Sequence, residues 1–199
     1  MVSPQEALQV VLEVTRSLDG LGVSYFVGGS LASSLHGIPR STQDADLLAD
    51  LGMEHVQPFV DAVSGRFYVD AERVLHGVRR RSSFNLIHLA TAIKVDVFLL
   101  KPEPLSVTEM ARRQVLPLPG MPGTMLQVSS AEDTVLQKLL WYRKGNCVSS
   151  QQLNDVLGVL KVQGARLDLL YLAEWARRIG VEDLLRQAFE DAGLDPGRI

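Results

Sequence analysis

Two aspartates one residue apart, Asp44 and Asp46, have the types and spacing that most directly suggest chemistry. In a strand, side chains two apart share a face, about 6–7 Å from each other, while Ala45 and Leu47 turn to the core. Carboxylates that close repel unless a cation lies between them. Mg²⁺, which prefers carboxylate and phosphate oxygens, suits the pair. Upstream, the apolar run Tyr25-Phe26-Val27 stops at Gly28-Gly29-Ser30. Neither glycine carries a Cβ, so the backbone there can turn sharply and approach a ligand. Ser30 opens a short helical pattern through Leu31, Ala32 and Leu35 that ends at Gly37. Unpaired amides at such a helix start suit a phosphate. A third carboxylate, Asp96, interrupts the apolar strand pattern KVDVFLL, sharing a face with Lys94 and Phe98. A lone carboxylate there costs free energy unless it binds a metal or pairs with a cation, for which Lys94 and Arg81 are the candidates.

The elements that must position these residues can be read in order. Ser3 as cap, Pro4 at the first position and Glu6 as the second half of a capping box predict a helix start, and Ala7, Leu8, Val11, Val14 and Leu18 carry it to Gly20 or Gly22. Strands are expected at 23–27 and 43–49, a helix over 53–64, and a short strand at 67–69 followed by a helical piece through Leu75. Arg79-Arg80-Arg81 reads as a solvated loop, with a phosphate patch as the alternative. Residues 82–100 read as two strands joined by Ala90-Thr91-Ala92, with His88 and Asn85 as structural or surface residues, and 106–113 as a helix.

Pro117, Pro119, Gly120, Pro122 and Gly123 predict a hinge-like connector. The expected division is therefore 1–123 as an α+β core and 124–199 as a C-terminal helical lobe. In that lobe Ser129 and Glu132 offer a capping box, Val135, Leu136, Leu139 and Leu140 an apolar stripe, and Lys138 a different face. A helix over 149–162 buries Leu153, Val156, Leu157 and Leu160 and places Asp155 opposite them. Helices near 168–179 and 182–192 complete a small bundle.

At 199 residues and 46% hydrophobic content the chain can bury a full core. Its net charge of −3 makes no bulk electrostatic case for a nucleic-acid partner. The single Cys147 excludes an internal disulfide framework and metal sites built on several cysteines. The first residues show no secretory signal pattern and no stretch has the length of a membrane span, so a cytoplasmic location is expected.

Strand, Gly-Gly-Ser, helix, spacer and Asp-x-Asp in that order resemble the DNA polymerase β-like nucleotidyltransferase superfamily. Arg40 and Thr42 match the Arg-x-Thr-x-Asp-x-Asp form of its AbiEii-type branch, and Lys138, Arg143 and Asp155 match that branch's later positions. The resemblance covers most of 23–160. It implies a mixed β-sheet flanked by helices and transfer of a nucleoside monophosphate from an NTP to a hydroxyl acceptor. It gives Asp44, Asp46 and Asp96 to two Mg²⁺ ions, and Gly28, Gly29, Ser30, Arg40, Thr42, Arg143 and Asp155 to nucleotide binding. Lys138 neutralises charge on the triphosphate, so Lys138→Ala is expected to leave the melting temperature nearly unchanged. The acceptor it implies is tRNA or a protein, with an antitoxin as partner if the chain is toxin-like. The alternatives are a non-catalytic nucleotide-binding sensor and an antibiotic-modifying nucleotidyltransferase acting on a small molecule.

Overall fold

Alternating apolar and polar residues at 44–49 and 94–99 bury one side of each strand and leave the other side to carboxylates, and the sheet is built outward from this pair. The computed structural model describes residues 4–199, with side chains from Gln5 onward except that of Arg198. Its described strands are β1 (Tyr25–Val27), β2 (Asp44–Ala49), β3 (Phe67–Tyr68), β4 (Ser83–His88), β5 (Lys94–Leu99), β6 (Gln114–Pro117) and β7 (Met125–Val128). They form one sheet in the order β3-β4-β5-β2-β1-β7-β6. The pairs β2–β5 and β1–β7 are parallel and the others antiparallel. The described helices are α1 (Pro4–Gly20), α2 (Gly29–His36), α3 (Val56–Val63), α4 (Ala71–Arg80), α5 (Pro104–Arg112), α6 (Ala131–Lys144), α7 (Ser150–Gln163), α8 (Leu169–Arg178) and α9 (Glu182–Asp191). Ser3, the expected cap of α1, lies outside the described residues.

Packing divides the chain into two units. One comprises the residues up to Leu31 together with Ser41–Val128, and the other Ala32–Arg40 together with Ser129–Ile199. In the first, Ala45, Leu47 and Ala49 of β2 and Val95, Val97 and Leu99 of β5 are buried on one side of the sheet. Phe84 of β4 lies in register with Val97 and meets Phe59 of α3 edge-on, with ring centres 5.9 Å apart. Gly77 lets α4 close on the same ring, since a Cβ there would stand 3.2 Å from it. Each fully buried valine or leucine here contributes about 1.5–3 kcal/mol. That burial fixes the strand register, because a one-residue slip would turn every core side chain outward.

Two sequence expectations change. The connector at 117–123 is the turn of a hairpin: β6 and β7 pair from Gln114 with Val128 to Pro117 with Met125, and β7 continues onto β1 at Val27. Pro117 fits because β6 is an edge strand, where a missing N–H breaks no ladder. The arginine run is not a loop. Arg79 and Arg80 finish α4, and Arg81, with φ 48°, caps it and donates to Asp50 at 2.7 Å.

The second unit packs α6 to α9 with Ala32–Arg40, which includes most of α2. Val135, Leu136 and Leu139 of α6 and Val156, Val159 and Leu160 of α7 are fully buried. Ser130, rather than Ser129, caps α6 by accepting from the Asp133 amide at 3.1 Å. His36 is buried with Nε2 2.6 Å from the Ser129 carbonyl, which assigns the proton to that nitrogen. Burial, opposed by this bond, lowers its pKa and favours the neutral ring.

Gly37 and α7 meet backbone to backbone. A Cβ on Gly37 would stand 2.7 Å from the Gly158 carbonyl carbon and the Val159 nitrogen, atoms that no rotamer change can move. Gly37→Ala is therefore expected to destabilise the protein by about 1–3 kcal/mol, as overpacking does. Denaturant unfolding of the two proteins side by side measures it.

Candidate active site

β2 and β5 run parallel with Asp44 opposite Lys94 and Asp46 opposite Asp96. In-register neighbours in a sheet project to the same side, so Asp44, Asp46, Lys94 and Asp96 share the face that the core leaves open. Asn85 of β4, opposite Asp96, extends that row. Asp96 thus lies on the side of the sheet that the strand pattern expects.

Lys94 stands among the carboxylates. Its Nζ lies 2.7 Å from Asp96 Oδ2 and 3.8 Å from Asp44 Oδ1. The hydrogen bond to Asp96, opposed by partial burial and reinforced by the charges of Asp96, Asp44 and Asp46, holds the ammonium above its usual pKa. All three carboxylates therefore act on one cation.

The Gly28-Gly29 turn is stitched to the same strand. Gly28 N–H donates to the Asp46 carbonyl at 2.9 Å. Gly29 has φ +56°, and a Cβ on it would fall 1.8 Å from Asp46 Oδ2. The glycine is needed twice, for its backbone conformation and for the space that the Asp46 carboxylate fills. Ser30 follows, half-buried, in the first turn of α2. Thr42 is buried, and its hydroxyl donates to the Asp44 carbonyl at 2.9 Å, so its observed contact shapes the entry to β2.

A divalent cation fits this face in donor chemistry, since Asp44, Asp46 and Asp96 all offer hard oxygens. Among the described residues, however, no group of three or more His, Cys, Asp or Glu side chains is arranged so that it could hold a metal ion. The position among the carboxylates is taken by the Lys94 ammonium.

The remaining predicted residues lie in the second unit, where three of them meet. Asp155 of α7 is buried, not opposite the apolar side of its helix as the sequence suggests. Arg40 grips it with both ends of its fork, Nε to Oδ1 at 2.7 Å and a terminal nitrogen to Oδ2 at 2.8 Å. Lys138 of α6, equally buried, donates to Oδ2 at 2.7 Å. With its amide oxygen turned inward, Gln151 accepts from both terminal nitrogens of Arg40 at 2.8 and 2.9 Å. Burial alone would raise the Asp155 pKa, but the hydrogen bonds and charges of Arg40 and Lys138 outweigh it and hold the carboxyl below its usual range. Lys138 is therefore a buried, paired cation, and the expectation that its removal leaves stability unchanged is corrected. Arg143 is separate from this cluster and pairs with Asp183 of α9 at the surface.

Against solved structures, the chain superposes on the antibiotic-resistance factor ANT(2'')-Ia with a TM-score of 0.57 and 12% identity, covering 93% of this chain and 99% of the other. It also superposes on ANT(2'')-Ia in complex with adenylyl-2''-tobramycin, at TM-score 0.54 and 12% identity, over 85% and 97% of the two chains. An antigenic nucleotidyltransferase-like protein from Paracoccidioides brasiliensis gives 0.55 at 16% identity, over 92% and 90%. The chain has the nucleotidyltransferase fold. Neither the protein-family models nor the curated proteins searched by sequence match it. Among the described residues no helix is long and apolar enough to cross a membrane.

Two consequences follow for Asp155. Asp155→Asn takes the counter-charge from the buried Lys138 and the half-buried Arg40 and is expected to cost about 3–5 kcal/mol near neutral pH. Because the folded carboxyl has the lower pKa, the unfolded chain takes up its proton first as the solution is acidified. The stabilisation is thus complete above the ordinary carboxylate value of about 3.9 and is lost as pH falls from there through the depressed folded value. Thermal unfolding of wild type and variant from pH 7 downward should show the gap narrowing only below about pH 5.

Proposed function

We propose that the chain is a nucleotidyltransferase that moves a nucleoside monophosphate from an NTP to an acceptor hydroxyl. The observation that carries this reading is the placement of Asp44, Asp46 and Asp96 on one sheet face, beside a glycine turn whose shape is moulded to Asp46. The full-length likeness to a nucleotidyltransferase fold supports it. Asp44 and Asp46 would hold the Mg²⁺ ion bound with the triphosphate, and Asp96 with one of them a second. Held by these residues, Mg²⁺ would supply neutralisation of phosphate charge and a lower pKa for the attacking hydroxyl. The α2 start at Gly29 and Ser30 offers amides and a hydroxyl to phosphate oxygens. Catalysis by such a set is chiefly positioning and charge neutralisation.

The acceptor divides into two readings. The likeness to the antibiotic-resistance factor ANT(2'')-Ia, also solved in complex with adenylyl-2''-tobramycin, over nearly its whole length favours a small hydroxylated molecule. The AbiEii-type pattern at Arg40, Thr42, Lys138 and Asp155 favours tRNA or a protein, with an antitoxin as partner. Incubation with each labelled NTP and Mg²⁺, together with total RNA, cell lysate or tobramycin, separates them by which molecule takes up label. Label in none of the three would overturn nucleotidyl transfer to these acceptors.

Asp44→Asn is expected to reduce labelling by about 10²–10³-fold, the usual loss for one electrostatic contact to the transition state. Its melting temperature should change little, because Asp44 is 60% exposed and lies in a repulsive cluster. Labelling rates and thermal melts on the same preparation measure both.

A further inference from the structure

Between α4 and the outer edge of β4 lies an open cavity of about 390 Å³, lined by Glu72, Arg73, His76, Ser83, Phe84 and Asn85. β3 pairs only with the end of β4, Phe67 with His88 and Tyr68 with Ile87, so among the described residues that edge is free from Ser83 to Leu86. Leu99 N–H donates to the Ser82 carbonyl, which sets the alternation along β4. Phe84 and Leu86 therefore bond to β5, while the backbone groups of Ser83 and Asn85 turn outward. The helix side of the cavity is cationic: Arg73, His76, Arg79 and Arg80 are exposed on one side of α4, within about 10 Å along its axis. Glu72 is the one carboxylate in the lining, Arg73 leans on Asp70 at 3.4 Å, and Arg81 is taken by Asp50. Arg79 and Arg80 make no ion pair among the described residues. α4 exposes no large apolar side chain of the kind that enters a membrane.

Arginines beside a polar cavity with outward-turned backbone donors and acceptors suit a nucleic-acid strand, whose phosphates meet the cations and whose base or ribose can fill the cavity. A base that is paired and stacked is not free to enter, so the fit is to a single-stranded end. We infer that the α4–β4 groove holds such an end, its phosphates on Arg73, Arg79 and Arg80 and its last nucleotide in the cavity. Asn85 lines that cavity and lies opposite Asp96 on the next strand, about 5 Å away. On the nucleotidyltransferase reading, on which this further step rests, the strand is the acceptor. Its terminal hydroxyl oxygen bonds to the α-phosphorus of the NTP, pyrophosphate leaves, and the hydroxyl proton passes to water.

The test is fluorescence anisotropy of a labelled RNA of about 12 nucleotides, and of DNA of the same sequence, with the full chain and no NTP, from about 50 to 200 mM KCl. Three phosphate contacts are expected to make log K fall against log salt with a slope of about −2. Arg79→Ala combined with Arg80→Ala should reduce that slope to about −0.7 and keep the wild-type melting temperature. The corresponding pair of glutamine substitutions repeats the measurement if the alanine variant does not fold. Asn85→Leu, in the cavity, is expected to weaken strand binding by about 2–10-fold, the worth of one hydrogen bond, with the slope unchanged. A blunt duplex, which cannot fill the cavity, should bind wild type and Asn85→Leu equally. Equal affinity and slope in wild type and the double arginine variant would overturn the groove as the site. Binding of neither RNA nor DNA, or of phosphatidylserine vesicles alone, would overturn the nucleic-acid occupant. A strand that binds through the arginines but takes up no label from any NTP, while another acceptor does, overturns the acceptor role alone. No label in any acceptor overturns the nucleotidyltransferase reading and leaves the groove standing.

Discussion

Apolar burial on one side of β2 and β5 holds Asp44, Asp46 and Asp96 together on the opposite side against their electrostatic repulsion, and the first unit depends on it. The register of β2 against β5 is set on the other side of the sheet, where Ala45, Leu47, Val95 and Val97 are buried. Hydrophobic burial there outweighs any single surface charge term, so the carboxylates have no freedom to drift apart by slipping a strand. The unit answers the repulsion locally, with the Lys94 ammonium between Asp44 and Asp96. The glycine turn follows from the same arrangement: with Asp46 fixed, any side chain at Gly29 would collide with its carboxylate. Packing on one face thus dictates the chemistry available on the other.

The second unit handles charge in the opposite way. Asp155 is buried among helices and receives three hydrogen bonds from two cations. A buried ion pair contributes little net stability over an apolar substitute, yet removing one partner is costly because the others remain buried. That asymmetry makes the cluster a constraint on which helices can pack together. It ties the segment ending at Arg40 to α6 and α7, while the close approach of Gly37 to Gly158 leaves no room for an alternative packing.

The sequence by itself determined most of the element order, the strand face shared by Lys94, Asp96 and Phe98, and the alternation that puts Asp44 and Asp46 side by side. These are local properties: period-two patterning, glycine turns and capping residues act within a few residues. It also pointed to the nucleotidyltransferase fold, through the resemblance of its ordered Gly-Gly-Ser and Asp-x-Asp to that superfamily. The β6–β7 hairpin was hidden, since its prolines and glycines read as a linker and its partner strand, β1, lies about a hundred residues earlier in the chain.

What only the tertiary structure decided is which charges meet. That Asp46 faces Asp96 depends on β2 and β5 being neighbours, a pairing across some fifty residues that no local pattern encodes. Lys138 and Asp155 both look like solvated positions on amphipathic helices, and Arg40 like a loop cation. They become one buried cluster only when α6, α7 and the end of the α2 segment pack together. Lys94 was legible as a partner for Asp96, two residues away on the same face, but its second contact with Asp44 was not. Local periodicity fixes the direction a side chain takes from its own strand or helix; the identity of what it meets is set by burial of distant apolar residues, and so belongs to the fold.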